Sequence, residues 1–223
     1  MTGTMVRRLI ALIVLAGLVA VVAPGPASGA GKRPRCAAKR SHTVAKNRLV
    51  RVYSVRRNGN RRLTGCLRAT GRKLLVVREY DDGYVESGGY RDVRLAGRFV
   101  AVVFDATDSS CKAACPPGYE PTQTSIVISD VRARRDRTTR THAQTGSLRL
   151  STAGVAAWLA PVAGGFELHG YDGTGEPVLD SGAIDPASVA LTGLRLTWVN
   201  AGAARNAELT PFRRPSRAPS GGR

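Results

Sequence analysis

Lysine, histidine and aromatic residues are scarce in this chain of 223 residues, and basic residues outnumber acidic ones by 34 to 16. The three histidines, His42, His142 and His169, are far apart, and no G-x-S-x-G motif marks a nucleophile elbow. Glycine-rich phosphate-binding motifs are absent as well. The sequence therefore gives no basis for a serine hydrolase, a zinc centre or a nucleotide site. We predict no catalytic residue, no metal ligand and no cofactor.

Long hydrophobic runs are also lacking, with one exception near the N-terminus. Arg7 and Arg8 precede an apolar run that extends to Ala23, and the small residues Ser28 and Ala30 follow it. This order is typical of a secretory signal peptide cleaved near residue 30. The run has 15 residues, so as a helix it is shorter than the roughly 30 Å hydrocarbon core. We predict a secreted or cell-envelope protein with no membrane span after cleavage; the alternative is a retained N-terminal anchor.

Cysteine is limited to four residues, Cys36, Cys66, Cys111 and Cys115. An even number of cysteines in an exported chain indicates two disulfides. We predict the pairs Cys36–Cys66 and Cys111–Cys115, because each joins neighbours along the chain. A zinc site at CKAAC is the alternative, but no further ligands with suitable spacing accompany it.

Four segments of the remaining chain share one pattern, in which a short alternating stretch leads into a turn and a second apolar run. Alternation followed by Gly or Asn is typical of a β-hairpin. The segments are residues 43–53, 92–104, 147–159 and 188–199, with turns at Asn47, Gly97, Gly154 and Gly193. Outside the signal peptide no helical periodicity is present.

Further alternating stretches follow each hairpin, except that the fourth hairpin is followed by only one. We therefore predict an all-β domain at residues 42–209, made of about four antiparallel units of four strands, the last unit lacking a strand. A signal-peptide helix (residues 1–30) and a basic N-terminal segment (31–41) precede it. A disordered basic tail (210–223) follows it.

The stretch DSGAIDPASVALTGLRLTWVNAG, residues 180–202, resembles the repeats of TolB-like and WD40-like β-propellers and is similar to repeats in exported actinobacterial proteins. The resemblance implies a propeller-like array whose loops carry the function. The turn residues are spaced unevenly, by 50, 57 and 39 residues. An open or partly closed array and a two-sheet β-sandwich are therefore the alternatives to a closed ring.

The strand FVAVVF, Phe99 to Phe104, is apolar on both faces. A strand of this kind needs a packing partner on each side, so we expect its sheet to lie between two others. The remaining predicted core residues are Leu49, Val50, Val52, Tyr53, Ile126, Val127, Ile128, Trp158 and Trp198.

Two stretches carry candidate ligand-binding residues. Residues 78–90 bring aromatic rings together with carboxylates, a combination that suits sugars and cations; the alternative is a glycine-rich connection between units. Residues 105–124 form a long insertion that a Cys111–Cys115 clip would stiffen, and its acidic residues offer oxygen ligands for calcium without a complete calcium motif. The candidates are Tyr80, Asp81, Asp82, Tyr84, Glu86, Tyr90, Asp105, Asp108 and Glu120.

The net charge suggests the kind of partner. Loss of Arg7 and Arg8 with the signal lowers it only from +18 to +16. The arginines are scattered without a nucleic-acid-reading module, which excludes a specific nucleic-acid partner and favours sequence-independent contact with polyanions. We predict a non-catalytic binding or structural module whose partner is an anionic cell-envelope polymer or a protein. The alternative is a secreted hydrolase or lyase acting on envelope carbohydrate, with the acidic residues between Asp81 and Glu86 at its site.

Overall fold

The computed structural model describes Cys36 and residues 39–81, 86–108, 122–141 and 146–212. Within these ranges the chain is all-β, with four antiparallel sheets in which consecutive strands pair. The first 30 residues, which carry the predicted signal peptide, lie outside the described part. No helix in the described ranges has the length and apolar character to cross a membrane.

The four sheets follow one another along the chain. Sheet 1 contains β1 (Ser41–Lys46), β2 (Val50–Arg57), β3 (Asn60–Leu67) and β4 (Lys73–Arg78). Sheet 2 contains β5 (Tyr80–Asp81), β6 (Glu86–Ala96), β7 (Phe99–Asp108), β8 (Thr122–Asp130) and β9 (Arg135–Thr141). Sheet 3 contains β10 (Gly146–Leu150), β11 (Ala156–Val162), β12 (Gly165–Tyr171) and β13 (Val178–Gly182). Sheet 4 contains β14 (Ala190–Thr192), β15 (Arg195–Asn200) and β16 (Ala203–Glu208), after a short 3-10 helix at Pro186–Ser188.

The four turn residues occupy corresponding places, between β1 and β2, β6 and β7, β10 and β11, and β14 and β15. The three glycines have positive φ, which a residue without Cβ adopts at little cost. Asn47 instead uses its side chain, whose Oδ1 accepts hydrogen bonds from the N–H groups of Leu49 and Val50, both at 2.8 Å. Its Nδ2 donates to the Gly97 carbonyl at 2.8 Å, so the first two of these turns are bonded to each other.

Three apolar clusters join the sheets in a row. Val50, Val52 and Leu63 of sheet 1 pack against Val100 and Val102 of sheet 2. On the other face of β7, residues such as Ala101 and Val103 pack against sheet 3 around Trp158, and sheet 3 packs in turn against sheet 4. The expectation that the apolar strand in sheet 2 has a neighbour on both faces is confirmed. Each interior sheet is stabilised by burial on two sides.

Most of the predicted core is buried, including Trp158, which is fully buried, and Trp198, which is 5% exposed. Leu49 is the exception, since it is 45% exposed. The prediction for Leu49 was wrong because the residue belongs to the Asn47 turn and not to the following strand, which starts at Val50. Val127 is partly buried against sheets 1 and 2.

The sheets contain four, five, four and three strands. The last sheet has one strand fewer than the first and third, as predicted. Two predicted connections are partly strand: residues 86–90 begin β6, and the ends of the 105–124 insertion belong to β7 and β8. The two-sheet sandwich alternative does not describe this arrangement, which has four sheets.

The disulfide Cys36–Cys66 is present, as predicted, and joins residues 30 positions apart. Cys36, Cys66 and Tyr53 form a small buried cluster on the side of sheet 1 away from sheet 2. Cys111 and Cys115 lie outside the described residues.

The chain after β16 crosses back over sheet 3. Asp172 Oδ2 accepts the N–H of Thr210 at 2.8 Å, and the Phe212 ring lies 5.4 Å from the ring of Tyr171. The Arg137 guanidinium of sheet 2 lies 3.7 Å from the Phe212 ring centre. The predicted tail begins at Thr210, and these contacts fix its first three residues; residues 213–223 lie outside the described part.

Candidate functional site

The structure places some of the predicted ligand-binding residues and leaves others outside its described part. Asp82, Tyr84 and Glu120 lie outside the described residues. Asp81 and Glu86 are described as backbone, within β5 and β6. Four predicted residues have described side chains: Tyr80, Tyr90, Asp105 and Asp108.

Tyr80 and Tyr90 belong to the packing between sheets 1 and 2. The Tyr80 ring lies 6.2 Å from the ring of Phe104, and the Arg61 guanidinium lies 4.9 Å from the Tyr90 ring centre. Burial raises the pKa of the Tyr90 phenol above its ordinary value. Both rings therefore pack on the scaffold, which agrees with the connecting-segment alternative better than with a ligand platform.

Asp105 lies on the opposite face of sheet 2, toward sheet 3. Its Oδ2 accepts a hydrogen bond from Arg91 Nε at 2.6 Å, and its Oδ1 accepts one from the Thr124 hydroxyl at 2.8 Å. Asp105 thus lies on the opposite face of sheet 2 from Tyr80 and Tyr90, whereas alternation along β7 puts Asp108 on the same side as Phe104 and the two tyrosines. The backbones of Glu86 and Asp108 are paired, so both predicted loops leave the same end of sheet 2.

A cleft of about 540 Å³ lies beside Asp105, between sheets 2 and 3. Its volume falls within the roughly 300–1,000 Å³ typical of ligand pockets. The sheet 2 wall combines a charged pair with hydroxyl groups, and the sheet 3 wall adds an aromatic ring. The lining residues are Arg91, Asp105, Thr122, Thr124, Gly146, Pro161 and Phe166.

A second surface is the face of sheet 1 that points away from sheet 2. Val50, Val52 and Leu63 face sheet 2, so the residues that alternate with them point outward. The cross-strand register places six basic residues on this side, here called the outer basic face: Lys46, Arg51, Arg57, Arg62, Lys73 and Arg78. Because no acidic residue precedes Glu79 in the sequence, no acidic residue of sheet 1 offsets this charge.

Like charges stand directly opposite each other on the outer basic face. Lys46 pairs with Arg51 across β1 and β2, and Arg62 pairs with Arg78 across β3 and β4. Directly opposed like charges destabilise a sheet. Arg62 Nε is also buried without a hydrogen-bond partner among the described residues. Local conflicts of this kind are typical of functional or strained positions.

Two arginines of sheet 2, unlike the basic residues of the outer basic face, have acidic partners. Arg91 pairs with Asp105 at 2.6 Å, and Arg98 pairs with Asp130 at 2.9 Å. At the boundary with sheet 1, Arg61 pairs with Glu79, but Arg61 points toward sheet 2, where it contacts Tyr90. Sheet 1 therefore differs from sheet 2 in having no acidic residue within the sheet to pair with its outward basic residues.

Sequence reasoning treated the arginines as scattered and missed this face. The signal that could have found it is the lack of Asp and Glu before Glu79, combined with alternation along each predicted strand. The pairing of β1, β2, β3 and β4 then brings the outward positions together.

No protein-family model matches the chain, and no curated protein matches it.

Proposed function

We propose that the chain is an exported, non-catalytic binding module that attaches to anionic polymers of the cell envelope through the outer basic face. The observation that carries the proposal is that two cross-strand pairs, Lys46–Arg51 and Arg62–Arg78, have like charges in a sheet without a single acidic residue. A bound polyanion supplies the missing counter-charges and relieves both repulsions.

The spacing of the charges suits a polymer better than a single ion. Lys46, Arg51 and Lys73 lie in one cross-strand row, and Arg62 and Arg78 lie in another. The two rows are four residues apart along β2 and β3, or about 13 Å at 3.3–3.4 Å per residue. This distance exceeds the Debye length of roughly 8 Å at physiological salt, so the rows attract anions largely independently. The buried Tyr53 lies between the rows, in the cluster with Cys36 and Cys66. A chain of phosphates or carboxylates that passes over this cluster can contact both rows and gain affinity from the linkage.

Guanidinium groups make up most of the face and favour phosphate or carboxylate groups that accept two parallel hydrogen bonds. The face recognises charge and spacing, since no described pocket on it selects a particular repeating unit. Binding is therefore expected to be sensitive to salt and independent of the sequence of the polymer.

Export is supported by the N-terminal sequence and by the disulfide Cys36–Cys66, because disulfides persist in oxidising compartments outside the cytoplasm. In this proposal the signal peptide is removed, and the basic sheet is the first element of the mature domain.

We also propose that the four sheets form an open, propeller-like arc of blades. Contacts between the leading strands of neighbouring sheets, β1 with β6, β6 with β10 and β10 with β14, support this arrangement. The Asn47–Gly97 hydrogen bond and the approach of Thr152 to Gly97 align the turns at one end of those strands. In such an arc the outer basic face is one of the two end faces.

The binding test uses inorganic polyphosphate as the probe and the full mature chain. The triple variant Arg57→Gln, Lys73→Gln and Arg78→Gln removes three exposed charges from the outer basic face. At about 1 kcal/mol for each basic residue near an anionic surface, affinity should fall about 100-fold. The slope of log K against log salt should also fall by about 2, at roughly 0.7 per lost phosphate contact.

The matched control removes the same charge elsewhere, through Arg132→Gln, Arg135→Gln and Arg195→Gln, all exposed positions in sheets 2 and 4. This control should keep most of the affinity and the slope. Equal losses in both variants would reject the outer basic face as the docking surface and leave only a net-charge effect.

The hydrolase alternative has a separate test. Purified cell-wall polysaccharide is incubated with the native chain and with the variant Asp81→Asn, Asp82→Asn and Glu86→Gln. The proposal expects no release of soluble fragments from either protein. Fragments released by the native chain and not by the variant would show that the module is an enzyme.

A further inference from the structure

The cleft between sheets 2 and 3 has a chemistry opposite to that of the outer basic face. Arg91 and Asp105, the two charged residues among its described lining, pair with each other at 2.6 Å. Thr122 and Thr124 add uncharged hydroxyl groups, and Phe166 adds an aromatic ring. Such a wall offers little net electrostatic attraction to a polyanion, whereas a neutral ligand rich in hydroxyl groups can form hydrogen bonds with its polar groups and contact its ring.

The Asp105 carboxylate is held in place before any ligand arrives. Arg91 Nε and the Thr124 hydroxyl each fix one of its oxygens, and Thr124 is only 5% exposed. Asp105 itself keeps 30% of its side chain exposed. Arg91 Nη2 donates a third, longer hydrogen bond to Oδ1 at 3.4 Å. A carboxylate accepts about four hydrogen bonds, so about one acceptor position is left for a ligand hydroxyl group. Because the acid is already oriented, little conformational freedom is lost on binding.

The apolar part of the described lining comes from Pro161 and Phe166, which pair across β11 and β12. Phe166 is partly buried against the cluster between sheets 3 and 4, so only its uncovered edge is available in the cleft. Sugar rings carry apolar C–H faces together with polar hydroxyl edges, and an aromatic side chain offers a matching flat surface. An acidic acceptor, hydroxyl groups and a ring in one cleft of about 540 Å³ are the groups that a short oligosaccharide uses.

We propose that this cleft binds a neutral oligosaccharide, with Asp105 accepting a hydrogen bond from one of its hydroxyl groups and Phe166 contacting a sugar ring. The proposal does not depend on polymer docking at the outer basic face, since the two sites share no residue. The module would thus hold an anionic polymer on one surface and a neutral glycan in another.

The test measures binding of three neutral probes, maltotriose, cellotriose and triacetylchitotriose, to the full mature chain by calorimetry and saturation-transfer NMR. At least one probe should bind. Asp105→Asn should weaken that binding at least tenfold, because it removes the charged acceptor. Asp136→Asn, an exposed acid on β9 of the same sheet, is the matched control and should leave the affinity unchanged.

A second variant covers the case in which Asp105→Asn disturbs the fold. Thr122→Trp places a bulky side chain at an exposed position on the cleft wall and should block the ligand while the chain stays folded by circular dichroism. Absence of binding by all three probes at 10 mM, a concentration that fills about 90% of sites with a Kd of about 1 mM, would overturn the proposal. Binding that survives both Asp105→Asn and Thr122→Trp, or displacement of the probe by phosphate, would also overturn it.

Discussion

The packing of sheet 1 on sheet 2 depends on the absence of a side chain at Gly65. A Cβ added at this position would lie 2.7 Å from Cγ2 of Val131, which is only 1% exposed. Ordinary contacts begin near 3.4 Å, so Gly65→Ala forces the two sheets or the valine to move. Overpacking of this kind costs about 1–3 kcal/mol.

Val131→Ala removes both methyl groups, including Cγ2, which creates the clash. Alone it should cost about 2 kcal/mol, from roughly 0.8 kcal/mol for each buried carbon and a contribution from the cavity. In the double variant the nearest remaining atom is Cβ of residue 131, at 3.7 Å, an ordinary contact distance. The new methyl at position 65 then fills part of the cavity. The double variant should therefore be no less stable than Val131→Ala by itself.

Urea unfolding of the native chain, both single variants and the double variant measures this coupling. Gly89→Ala is the matched control, because a Cβ there has only one neighbour within 4 Å, at 3.8 Å. It should be neutral or slightly stabilising, since replacing glycine restricts the unfolded chain. If the costs of Gly65→Ala and Val131→Ala simply add, within about 0.5 kcal/mol, the sheets do not interlock at this point and the reasoning is refuted.

Three further predictions concern stability. Replacing Cys36 and Cys66 by alanine should lower the free energy of unfolding by about 3.6 kcal/mol from loop closure, since the disulfide spans 30 positions; unchanged thermal unfolding would contradict a structural role. Acid should destabilise the fold through Asp180 and Asp172. The hydrogen bond from Trp198 Nε1 holds the pKa of Asp180 below its usual value, and although burial opposes ionisation of Asp172, hydrogen bonds from Thr174 and Thr210 hold its pKa below the usual range too. The stability contributed by these two carboxylates is therefore present above the unfolded pKa of about 3.9 and is lost as pH falls through their lower folded pKa values. The melting temperatures of Asp180→Asn and Asp172→Asn should depend less on pH over this range than the melting temperature of the native chain. Variants with the same pH profile as the native chain would refute the assignment. Finally, Arg78→Glu should raise stability by about 0.2–1 kcal/mol by giving Arg62 an opposite charge across β3 and β4, while weakening polyphosphate binding; a loss of both would speak against a trade of stability for function.

The strand pattern could be predicted because its signals are local. Alternation fixes which residues share a face, and Gly97, Gly154 and Gly193 satisfy a backbone conformation that other residues adopt at a cost. The two-sided character of Phe99 to Phe104 likewise required a neighbouring sheet on each side, and the structure supplies both.

The candidate residues were named by stretch of sequence, and which of them share a face depends on alternation along each strand. Phe104 and Asp105 are consecutive, so alternation sends them to opposite faces of sheet 2. Tyr80 and Tyr90 join Phe104 on the face toward sheet 1, while Asp105 faces sheet 3. The outer basic face depends on the register of four strands, which includes irregularities between Thr43 and Ala45 and between Leu63 and Thr64. Such shifts move every later residue relative to its neighbours and leave no clear signal in the sequence.

Chemical footprinting tests docking on sheet 1 most directly. The chain is treated with an arginine-reactive dicarbonyl and a lysine-acetylating reagent, with and without inorganic polyphosphate, and each site is quantified by mass spectrometry. We predict that polyphosphate protects the exposed residues Arg57, Lys73 and Arg78, while Arg132 and Arg195 react as before. Protection spread evenly over all five positions, or confined to the last two, would contradict the account.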